Sequence, residues 1–324
     1  MKVLVIGGGA MGCLWGANLS KSGQEVLFLE TDPIRYQALY QQGGVVYGAK
    51  GEEELYAAAV ASSLEEVDLS SVDGVMIAVK AYDVDRVLAR LLPLVSLSVP
   101  VLILANGAGF GERQAFSSWR GQIFFAVSFQ GAYLSCPGQV EPRGMGNIFW
   151  GSMPLGGENI RENAEAHKTL AWLLTSFPAC TYTSHFPREM WQKLLVNSII
   201  NPLTALWQIP NGGLKEALLT ESQRQPVADL FGEGLAVAQA FGKYRLGRND
   251  FLQGAEVWSA YRHTVERTAA NHSSMYLDVC HRRQTEIDYI NGYIIAQGKK
   301  LGVATPTQEQ VYQEIKACLK TGEA

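Results

Sequence analysis

Short apolar runs alternate with helical patterns through the first half of the chain. The continuous apolar runs that predict buried strands are residues 2–6, 25–29, 74–79 and 99–105. Helical spacing of apolar side chains lies between them, at residues 10–22 and 83–92. Strands that are apolar on both faces and alternate with helices are typical of a parallel sheet covered on both sides.

A different pattern begins near residue 124. Residues 124–150 are strand-like and rich in glycine and proline, which predicts antiparallel or edge strands. Beyond residue 184 the predicted elements are helices at 188–206, 221–241, 275–298 and 307–319. A chain of 324 residues commonly forms two domains. We therefore predict an α/β domain over residues 1–183 and an all-α domain over residues 184–324.

Composition excludes several classes of function. A net charge of −4 gives no electrostatic reason to expect nucleic acid or an anionic membrane as a partner. No apolar run reaches the roughly 20 residues of a membrane span, and the first apolar run is too short for a signal peptide. The five scattered cysteines and five histidines lack the spacing of disulfide frameworks or metal sites. We expect a cytoplasmic protein without a metal.

A glycine loop directly follows the first predicted strand and opens the first predicted helix. Gly7, Gly9 and Gly12 match the G-x-G-x-x-G pattern, with Ala10 and Met11 completing the loop. These glycines permit a tight turn, close approach of a pyrophosphate, and helix–strand packing. The free N–H groups of the helix start favour an anion. This context predicts a Rossmann-type domain that binds a dinucleotide, and the alternative is a glycine turn that serves packing alone.

Polar residues follow three predicted strands at the sheet edge where ligands of such folds bind. Glu30, which ends the second strand, is placed to accept hydrogen bonds from a ribose, and this favours NAD(H). Lys80 and Asn106 follow two further strands. The alternatives are a solvated carboxylate at Glu30 and a simple turn at Asn106-Gly107.

Lys193, Asn197 and Asn201 form one stripe along a predicted helix that is otherwise largely apolar. Buried polar groups need partners, so the stripe predicts a polar ligand, unless this face of the helix is exposed to solvent. Pro202 is expected to kink or end the helix directly after Asn201.

A second polar cluster runs from Asn271 to Ser274 and precedes the helix predicted at 275–298. Either Ser273 or Ser274 could cap that helix. Ser274 and Glu286 are about 120° apart on an ideal helix, so spacing alone does not place them together.

Taken together, these residues resemble the ketopantoate reductase (2-dehydropantoate 2-reductase) family over nearly the whole chain. The motifs that carry the resemblance are residues 5–12, 79–82, 106–107, 191–197, 201–205, 271–292 and 305–306. They include the run Thr285-Glu286-Ile287-Asp288-Tyr289-Ile290-Asn291-Gly292. The resemblance implies a Rossmann domain, a helical second domain and a substrate cleft between them.

By position, the resemblance also implies roles for individual residues. Lys193 is similar to the family's catalytic lysine, and Glu286 to the acidic residue that binds substrate. The polar substrate and cofactor contacts implied in this way are Asn106, Asn197, Asn201, Asn271 and Ser274, with Lys80 near the cofactor. The chemistry is consistent, because an ammonium can stabilise the oxyanion formed by hydride transfer to a ketone and donate its proton.

The chain departs from the family in one respect. Family members usually carry an arginine just after the second strand, where it pairs with the 2′-phosphate of NADPH. Here that position is Thr31, between Glu30 and Asp32, with Arg35 one turn further on. The family default is NADP(H), whereas the local residues favour NAD(H), and both stay open.

The leading hypothesis is NAD(P)H-dependent reduction of ketopantoate to pantoate, in pantothenate biosynthesis. The alternatives are a reductase of a different branched 2-oxo acid and a non-catalytic NAD(P)-sensing protein. We expect a small-molecule substrate, and a homodimer is possible because soluble enzymes often form one.

Overall fold

The computed structural model describes residues 1–47, 53–56, 58–110, 114–144, 146–153, 163–175 and 177–320. The chain divides into two compact units. The first consists of Met1–Ala105 and Phe110–Pro187, and the second of Asn106–Gly109 and Arg188–Ala324. Four residues that follow a strand of the first unit therefore belong to the second.

An eight-stranded sheet organises the first unit. In chain order, the strands of this unit are β1 (Lys2–Ile6), β2 (Glu25–Leu29), β3 (Gly44–Tyr47), β4 (Glu53–Tyr56), β5 (Ala59–Ala61), β6 (Gly74–Ile77), β7 (Val101–Ile103), β8 (Ile123–Ser128), β9 (Ala132–Cys136), β10 (Gln139–Pro142), β11 (Ile148–Gly151) and β12 (Cys180–Tyr182). The large sheet has the order β12-β11-β8-β7-β6-β1-β2-β5. Its pairings are parallel except between β8 and β11.

A smaller sheet has the order β4-β3-β10-β9. Strand β10 pairs parallel with β3 and antiparallel with β9. The predicted strand-like region at 124–150 thus contributes to both sheets. Its first strand, β8, continues the parallel sheet, and the β9–β10 hairpin belongs to the smaller one.

Among the described residues, the α-helices are α1 (Ala10–Lys21), α2 (Pro33–Gln42), α3 (Ala81–Leu91), α4 (Ala164–Leu174), α5 (Phe186–Trp207), α6 (Glu221–Leu246), α7 (Gly254–Arg267), α8 (Ser274–Cys280), α9 (Asn291–Leu301) and α10 (Pro306–Lys320). The fold class is as predicted: a Rossmann-type α/β unit is followed by a helical region. The predicted strands at 2–6 and 25–29 are confirmed, and those at 74–79 and 99–105 are shorter than predicted.

Helix α1 is enclosed by the two sheets of the first unit. It contacts β1 and β2 on one side and β3, β4, β9 and β10 on the other. Cys13, Leu14, Trp15, Ala17 and Leu19 are buried in one core with Phe28 and Val140, residues of the two different sheets. A helix that is apolar around most of its circumference must be covered on most sides, which explains the second sheet.

The strands β1, β2 and β6 end at the same edge of the sheet, so the three loops that follow them begin side by side. Backbone hydrogen bonds continue the sheet just beyond each strand: Gly7 N–H donates to the Leu29 carbonyl (3.0 Å), and Ala78 N–H to the Ile6 carbonyl (2.9 Å). Glu30 N–H donates to the Ala61 carbonyl (3.0 Å). The glycine loop and Glu30 therefore start from fixed backbone positions.

The second unit is built around α5, whose apolar side chains lie on several faces. Val196, Ile199 and Leu203 share a core with Leu230 of α6 and Val311 of α10. The Trp191 ring lies 5.2 Å from the ring of Phe241 and 5.8 Å from that of Tyr293. Helices α6, α9 and α10 contact one another. The polar stripe of Lys193, Asn197 and Asn201 lies in the middle of this helix.

Pro202 does not end α5, because the helix continues to Trp207. That alternative of the prediction was wrong, and a kink at Pro202 stays a prediction. A proline has no N–H, which leaves the carbonyl four residues earlier without its helical partner. Here the Ser198 carbonyl accepts from Asn291 Nδ2 at 2.9 Å. Asn291 is fully buried and also donates to Gln308 Oε1 at 2.8 Å. A side chain from α9 replaces the missing backbone donor.

The prediction of a single helix at 275–298 was wrong, because the segment is divided into α8, a 3₁₀ turn at Ile287–Tyr289, and α9. Arg282 has a φ of +53°, a left-handed conformation that ends a helix. The Arg283 N–H donates to the Asp278 carbonyl at 2.7 Å, and Arg283 Nε donates to Asp278 Oδ1 at 3.0 Å. Local polar contacts thus outweigh the helical spacing of the apolar residues.

Within the described part of the chain, no helix is long and apolar enough to cross a membrane. The same residues contain no cluster of three or more histidine, cysteine, aspartate or glutamate side chains that could hold a metal ion. The five cysteines are free thiols.

Replacement of Asn291 by alanine is expected to lower the free energy of unfolding by about 1–3 kcal/mol, because it leaves the Ser198 carbonyl without a donor. Pro202→Ala restores a backbone N–H at residue 202 that can donate to that carbonyl. Its effect on the free energy of unfolding should therefore be more stabilising, by about 1 kcal/mol, in the Asn291→Ala protein than in the native protein. Urea denaturation of the four proteins measures this coupling. Gln310→Ala, at an exposed amide, is the control. Equal effects of Pro202→Ala in both backgrounds would contradict the assignment.

Candidate active site

Lys193 lies near the start of α5 among buried apolar neighbours. Trp191, Leu194 and Leu195 are all almost completely buried. Burial lowers the pKa of Lys193 to about 8, and the nearby Glu286 carboxylate opposes this shift because it favours the charged ammonium. The side chain is therefore a proton donor whose pKa lies close to neutral pH.

Asn106 follows β7 and belongs to the second unit. Gly107 has a φ of +94°, and a Cβ at this position would collide with the carbonyl oxygen of Tyr289. The Ala108 N–H donates to that same carbonyl at 2.8 Å. Only glycine allows the turn to approach so closely. Asn106-Gly107 is thus a turn, as the alternative prediction stated, but the turn also positions the Asn106 side chain.

The Asn106 amide bridges Lys193 and Glu286. Lys193 Nζ donates to Asn106 Oδ1 at 3.1 Å, and Asn106 Nδ2 donates to Glu286 Oε2 at 3.3 Å. The orientation of the amide is determined by its partners, because an ammonium only donates and a carboxylate only accepts. Three residues that are far apart in sequence therefore form one hydrogen-bonded group within the second unit.

Glu286 lies in the turn that replaces the predicted continuous helix. Its side chain is buried, and its carbonyl accepts from Tyr289 N–H at 3.0 Å. The Arg283–Asp278 contact fixes the start of this turn. The hydrogen bond from Ala108 N–H to the Tyr289 carbonyl fixes its end. The same turn therefore carries the carboxylate and the docking point for the Asn106 loop.

Ser273, not Ser274, caps α8. Its hydroxyl accepts from Tyr276 N–H at 3.0 Å and is 2.8 Å from the donor hydroxyl of Thr204 on α5. Ser274 is the first helical residue and is exposed. The Asn271 carbonyl accepts from Asn211 N–H at 2.9 Å. Ser273 therefore ties the cluster to α5, and Ser274 presents its hydroxyl outward.

Asn197 and Asn201 follow Lys193 at helical spacing on α5, as predicted. Asn197 is partly buried, and Asn201 is buried, with 7% of its surface exposed. The Asn201 carbonyl oxygen lies 3.2 Å from the Thr204 hydroxyl, whose single proton has closer acceptors in Ile200 and Ser273. The roles of Asn197, Asn201, Asn271 and Ser274 toward a substrate stay predictions.

The glycine loop of the first unit has the geometry that a dinucleotide pyrophosphate requires. Gly7 has a φ of +103°, and a Cβ at Gly12 would collide with the Gly7 carbonyl oxygen. A Cβ at Gly9 would meet nothing within 4 Å, so this side of the loop is open. Gly9 is the N-cap of α1 and provides no side-chain cap. The N–H groups of this helix start, with Ala10 and Met11, can receive phosphate oxygens.

Glu30 is almost completely buried beneath this loop, with 3% of its side chain exposed. Its carboxylate accepts from Gly8 N–H at 2.7 Å and from Asp32 N–H at 2.7 Å. Arg35 donates to it from Nε at 2.9 Å and from Nη2 at 3.1 Å. The carboxylate is therefore held inside the protein, and the alternative of a solvated strand-end group does not apply.

Other predicted cofactor residues surround this edge of the first unit. Lys80 is the N-cap of α3 and is partly buried. Thr31 is exposed beside Glu30. Asp32 caps α2, with Oδ1 accepting from the N–H groups of Ile34 (3.1 Å) and Arg35 (2.9 Å). The predictions for Lys80 and Thr31 toward the cofactor stay predictions.

Sequence reasoning missed α2 and the capping role of Asp32. An aspartate followed by proline is a typical helix start, so Asp32-Pro33 carried the signal. It also missed the bridge formed by Asn106, since nothing in the sequence spacing relates this residue to Lys193. That link depends on the Gly107 turn and its contact with Tyr289.

Family models match both parts of the chain. Residues 3–154 match the model described as ketopantoate reductase PanE/ApbA, and residues 185–319 match the model of its C-terminal domain. A 2-dehydropantoate 2-reductase from Vibrio cholerae is 30% identical and covers 98% of this chain and 97% of its own. A protein of the same name from Pyrococcus abyssi is 27% identical, with 94% of each chain covered.

Solved structures with similar folds cover nearly the whole chain. A D-mandelate dehydrogenase in complex with NADH and anilino(oxo)acetate is 28% identical, with a TM-score of 0.85 and 99% of each chain covered. A 2-dehydropantoate 2-reductase from Geobacter metallireducens is 26% identical, with a TM-score of 0.81, and the match covers 98% of this chain and 99% of its own.

The Glu286→Gln variant is expected to lower the pKa of Lys193 below about 8, because it removes the negative charge that favours the ammonium. The pH dependence of amine acylation at Lys193, followed by mass spectrometry, measures this pKa without an activity assay. Glu309→Gln removes a surface carboxylate that pairs with Lys299 and should leave the Lys193 midpoint unchanged. A Lys193 midpoint that stays or rises in Glu286→Gln would refute this account of the site.

Proposed function

The chain belongs to the ketopantoate reductase family, and on this basis we propose that it reduces ketopantoate to pantoate, a step of pantothenate biosynthesis, with a reduced pyridine nucleotide. The observation that carries the proposal is the hydrogen-bonded group of Lys193, Asn106 and Glu286. It combines a proton donor of near-neutral pKa with a buried carboxylate, and neither feature serves the packing of a helical unit.

Lys193 acts as the general acid in this proposal. Its ammonium points a hydrogen at the ketone oxygen, stabilises the negative charge that develops there, and donates the proton as the alcohol forms. The proton is available below a pH of about 8, so reduction should slow above that value. Asn106 orients the Lys193 ammonium by accepting a hydrogen bond at Oδ1. The alignment of a catalytic group with the reacting atoms is a large part of catalysis.

Glu286 has two roles. Its charge keeps Lys193 protonated against the effect of burial, and its carboxylate can accept a hydrogen bond from the substrate hydroxyl. Asn197, Asn201, Asn271 and Ser274 are the further polar residues that would hold the substrate carboxylate and carbonyl. Their side chains provide both donors and acceptors for these groups.

A dinucleotide fits the glycine loop described above, where Gly7, Gly9 and Gly12 with Ala10 and Met11 would receive its pyrophosphate. When bound, the reduced nicotinamide supplies the hydride. Lys80 and Asn106 follow strands of the same sheet and are proposed as further cofactor contacts. The side chains nearest the ribose position carry two carboxylates and one guanidinium, which favours NADH over NADPH.

A second candidate is the reduction of a different 2-oxo acid. The D-mandelate dehydrogenase structure, with its NADH and anilino(oxo)acetate, supports this candidate through a TM-score of 0.85. The same general acid would serve any 2-oxo acid, since the reacting carbonyl and its carboxylate are shared. A non-catalytic sensor would have no use for the Lys193 group.

The setting of the enzyme follows as a set of expectations. We expect it to work in the cytoplasm, where free thiols such as its five cysteines are kept reduced. The homodimer stays a prediction, and light scattering of the purified protein would give its mass.

Purified protein is expected to oxidise NADH in the presence of ketopantoate with a larger kcat/KM than with benzoylformate, the 2-oxo acid related to mandelate. The loss of absorbance of the reduced nucleotide measures both reactions, with NADH and NADPH in separate series. A preference for benzoylformate by tenfold or about 1.4 kcal/mol would favour the second candidate instead. Cofactor binding without oxidation by either substrate would favour the sensor.

Lys193→Ala is expected to lower kcat by about 10²–10⁴-fold, the usual contribution of a general acid, while the cofactor still binds. Steady-state kinetics measure the loss, and fluorescence titration measures the cofactor Kd. Lys299→Ala, on the surface of the same unit, is the matched control and should keep full activity. Retained turnover in Lys193→Ala would show that another group supplies the proton.

A further inference from the structure

The Glu30 carboxylate has no acceptor position left for a ribose. Oε1 accepts from Asp32 N–H and Arg35 Nη2, and Oε2 accepts from Gly8 N–H and Arg35 Nε. A carboxylate offers about four acceptor positions, so these four donors use them all. With 3% of its side chain exposed, Glu30 also presents almost no surface to a ligand.

The contacts of Glu30 converge on the glycine loop. Gly8 donates its N–H to Glu30, and a Cβ at Gly8 would approach Oε2 and Leu39 Cδ1 to 2.9 Å. On the opposite side of the same residue, the Gly8 carbonyl lies 3.4 Å from the Cys13 thiol. Gly8 is the variable position of the G-x-G pattern, and glycine is needed here because the carboxylate lies directly beneath it.

The side chains of Asp32 and Arg35, next to Glu30, both reach the surface. Each has 38% of its side chain exposed. Asp32 Oδ1 is occupied by two N–H groups of the first turn of α2, whereas Oδ2 points to Arg35 Nη1 from 3.9 Å, beyond hydrogen-bond distance. An outer oxygen of Asp32 and the outer N–H groups of Arg35 are therefore available to a bound ribose.

We propose that Asp32 selects NADH over NADPH by accepting a hydrogen bond from the 2′-hydroxyl, and that Glu30 is a positioning residue for Gly8 and Arg35. This rests on the proposed use of a pyridine nucleotide. Glu30, Asp32 and Arg35 together carry one net negative charge. A phosphate monoester carries nearly two negative charges at neutral pH, so a 2′-phosphate beside Asp32 is repelled. The positive charge of Arg35 is already balanced by that of Glu30.

Asp32→Asn removes the charge and keeps the helix cap, since asparagine caps as well as aspartate. The full-length variant should bind NADPH about tenfold more tightly relative to NADH, the effect of one unit charge close to a dianion at a half-exposed site. Isothermal titration with each nucleotide, without substrate, measures both Kd values. Asp68→Asn changes another capping carboxylate, which accepts from Ser70 N–H at 3.1 Å, and should leave the ratio unchanged. An unchanged ratio in Asp32→Asn overturns the proposal.

Glu30→Asp keeps the charge but shortens the side chain, so that it cannot reach both Gly8 and Arg35. We expect NADH and NADPH to lose affinity by similar factors of about tenfold, with KM for the nucleotide raised and kcat at saturation retained. If Glu30→Asp weakened the binding of NADH but not of NADPH, Glu30 and not Asp32 would be the residue that contacts the ribose, and the proposal would be contradicted. Native protein that binds both nucleotides but turns over neither 2-oxo acid would refute the proposed function and leave this assignment standing. Binding of neither would refute both.

Discussion

A partly buried ammonium is the constraint on which the arrangement of the second unit depends. Lys193 lies among apolar side chains of α5, where an unpaired charge would be costly. The protein meets this cost with an amide and a carboxylate that come from two distant parts of the chain. For both to reach Lys193, Gly107 must adopt a positive φ and the segment after α8 must leave the helix. The irregular backbone at these two places thus brings both partners to Lys193.

The first unit contains a buried carboxylate, Glu30, whose oxygens are likewise satisfied by hydrogen bonds from other residues. Glu30 is surrounded by backbone N–H groups and one guanidinium, and in return it fixes the glycine loop and Arg35. Asn291 provides a third case, in which a buried amide supplies the donor that Pro202 lacks. In each case at least one partner of the polar group is remote in sequence, and the contact fixes the position of a loop or a helix.

These contacts explain what could be predicted from the sequence and what could not. The strands β1 and β2, the glycine loop and the stripe on α5 follow from periodicity, which is a local property. The division of the segment 275–298 could not be predicted, because it depends on the Arg283–Asp278 contact and the conformation of Arg282. The bridge through Asn106 was hidden for the same reason. Helix α2 was predictable, since Asp32-Pro33 is a local signal.

The enclosure of α1 has a consequence for the order in which the chain folds during synthesis. The residues that form the glycine loop are made first, but the sheet that covers the far side of α1 includes β9 and β10 and ends at Pro142. At about 5–20 residues per second, the ribosome takes several seconds or more to produce that segment. Until then the apolar far face of α1 has no native partner, and contacts between such distant segments form slowly. The nascent N-terminal region should therefore depend on chaperones until the hairpin has emerged.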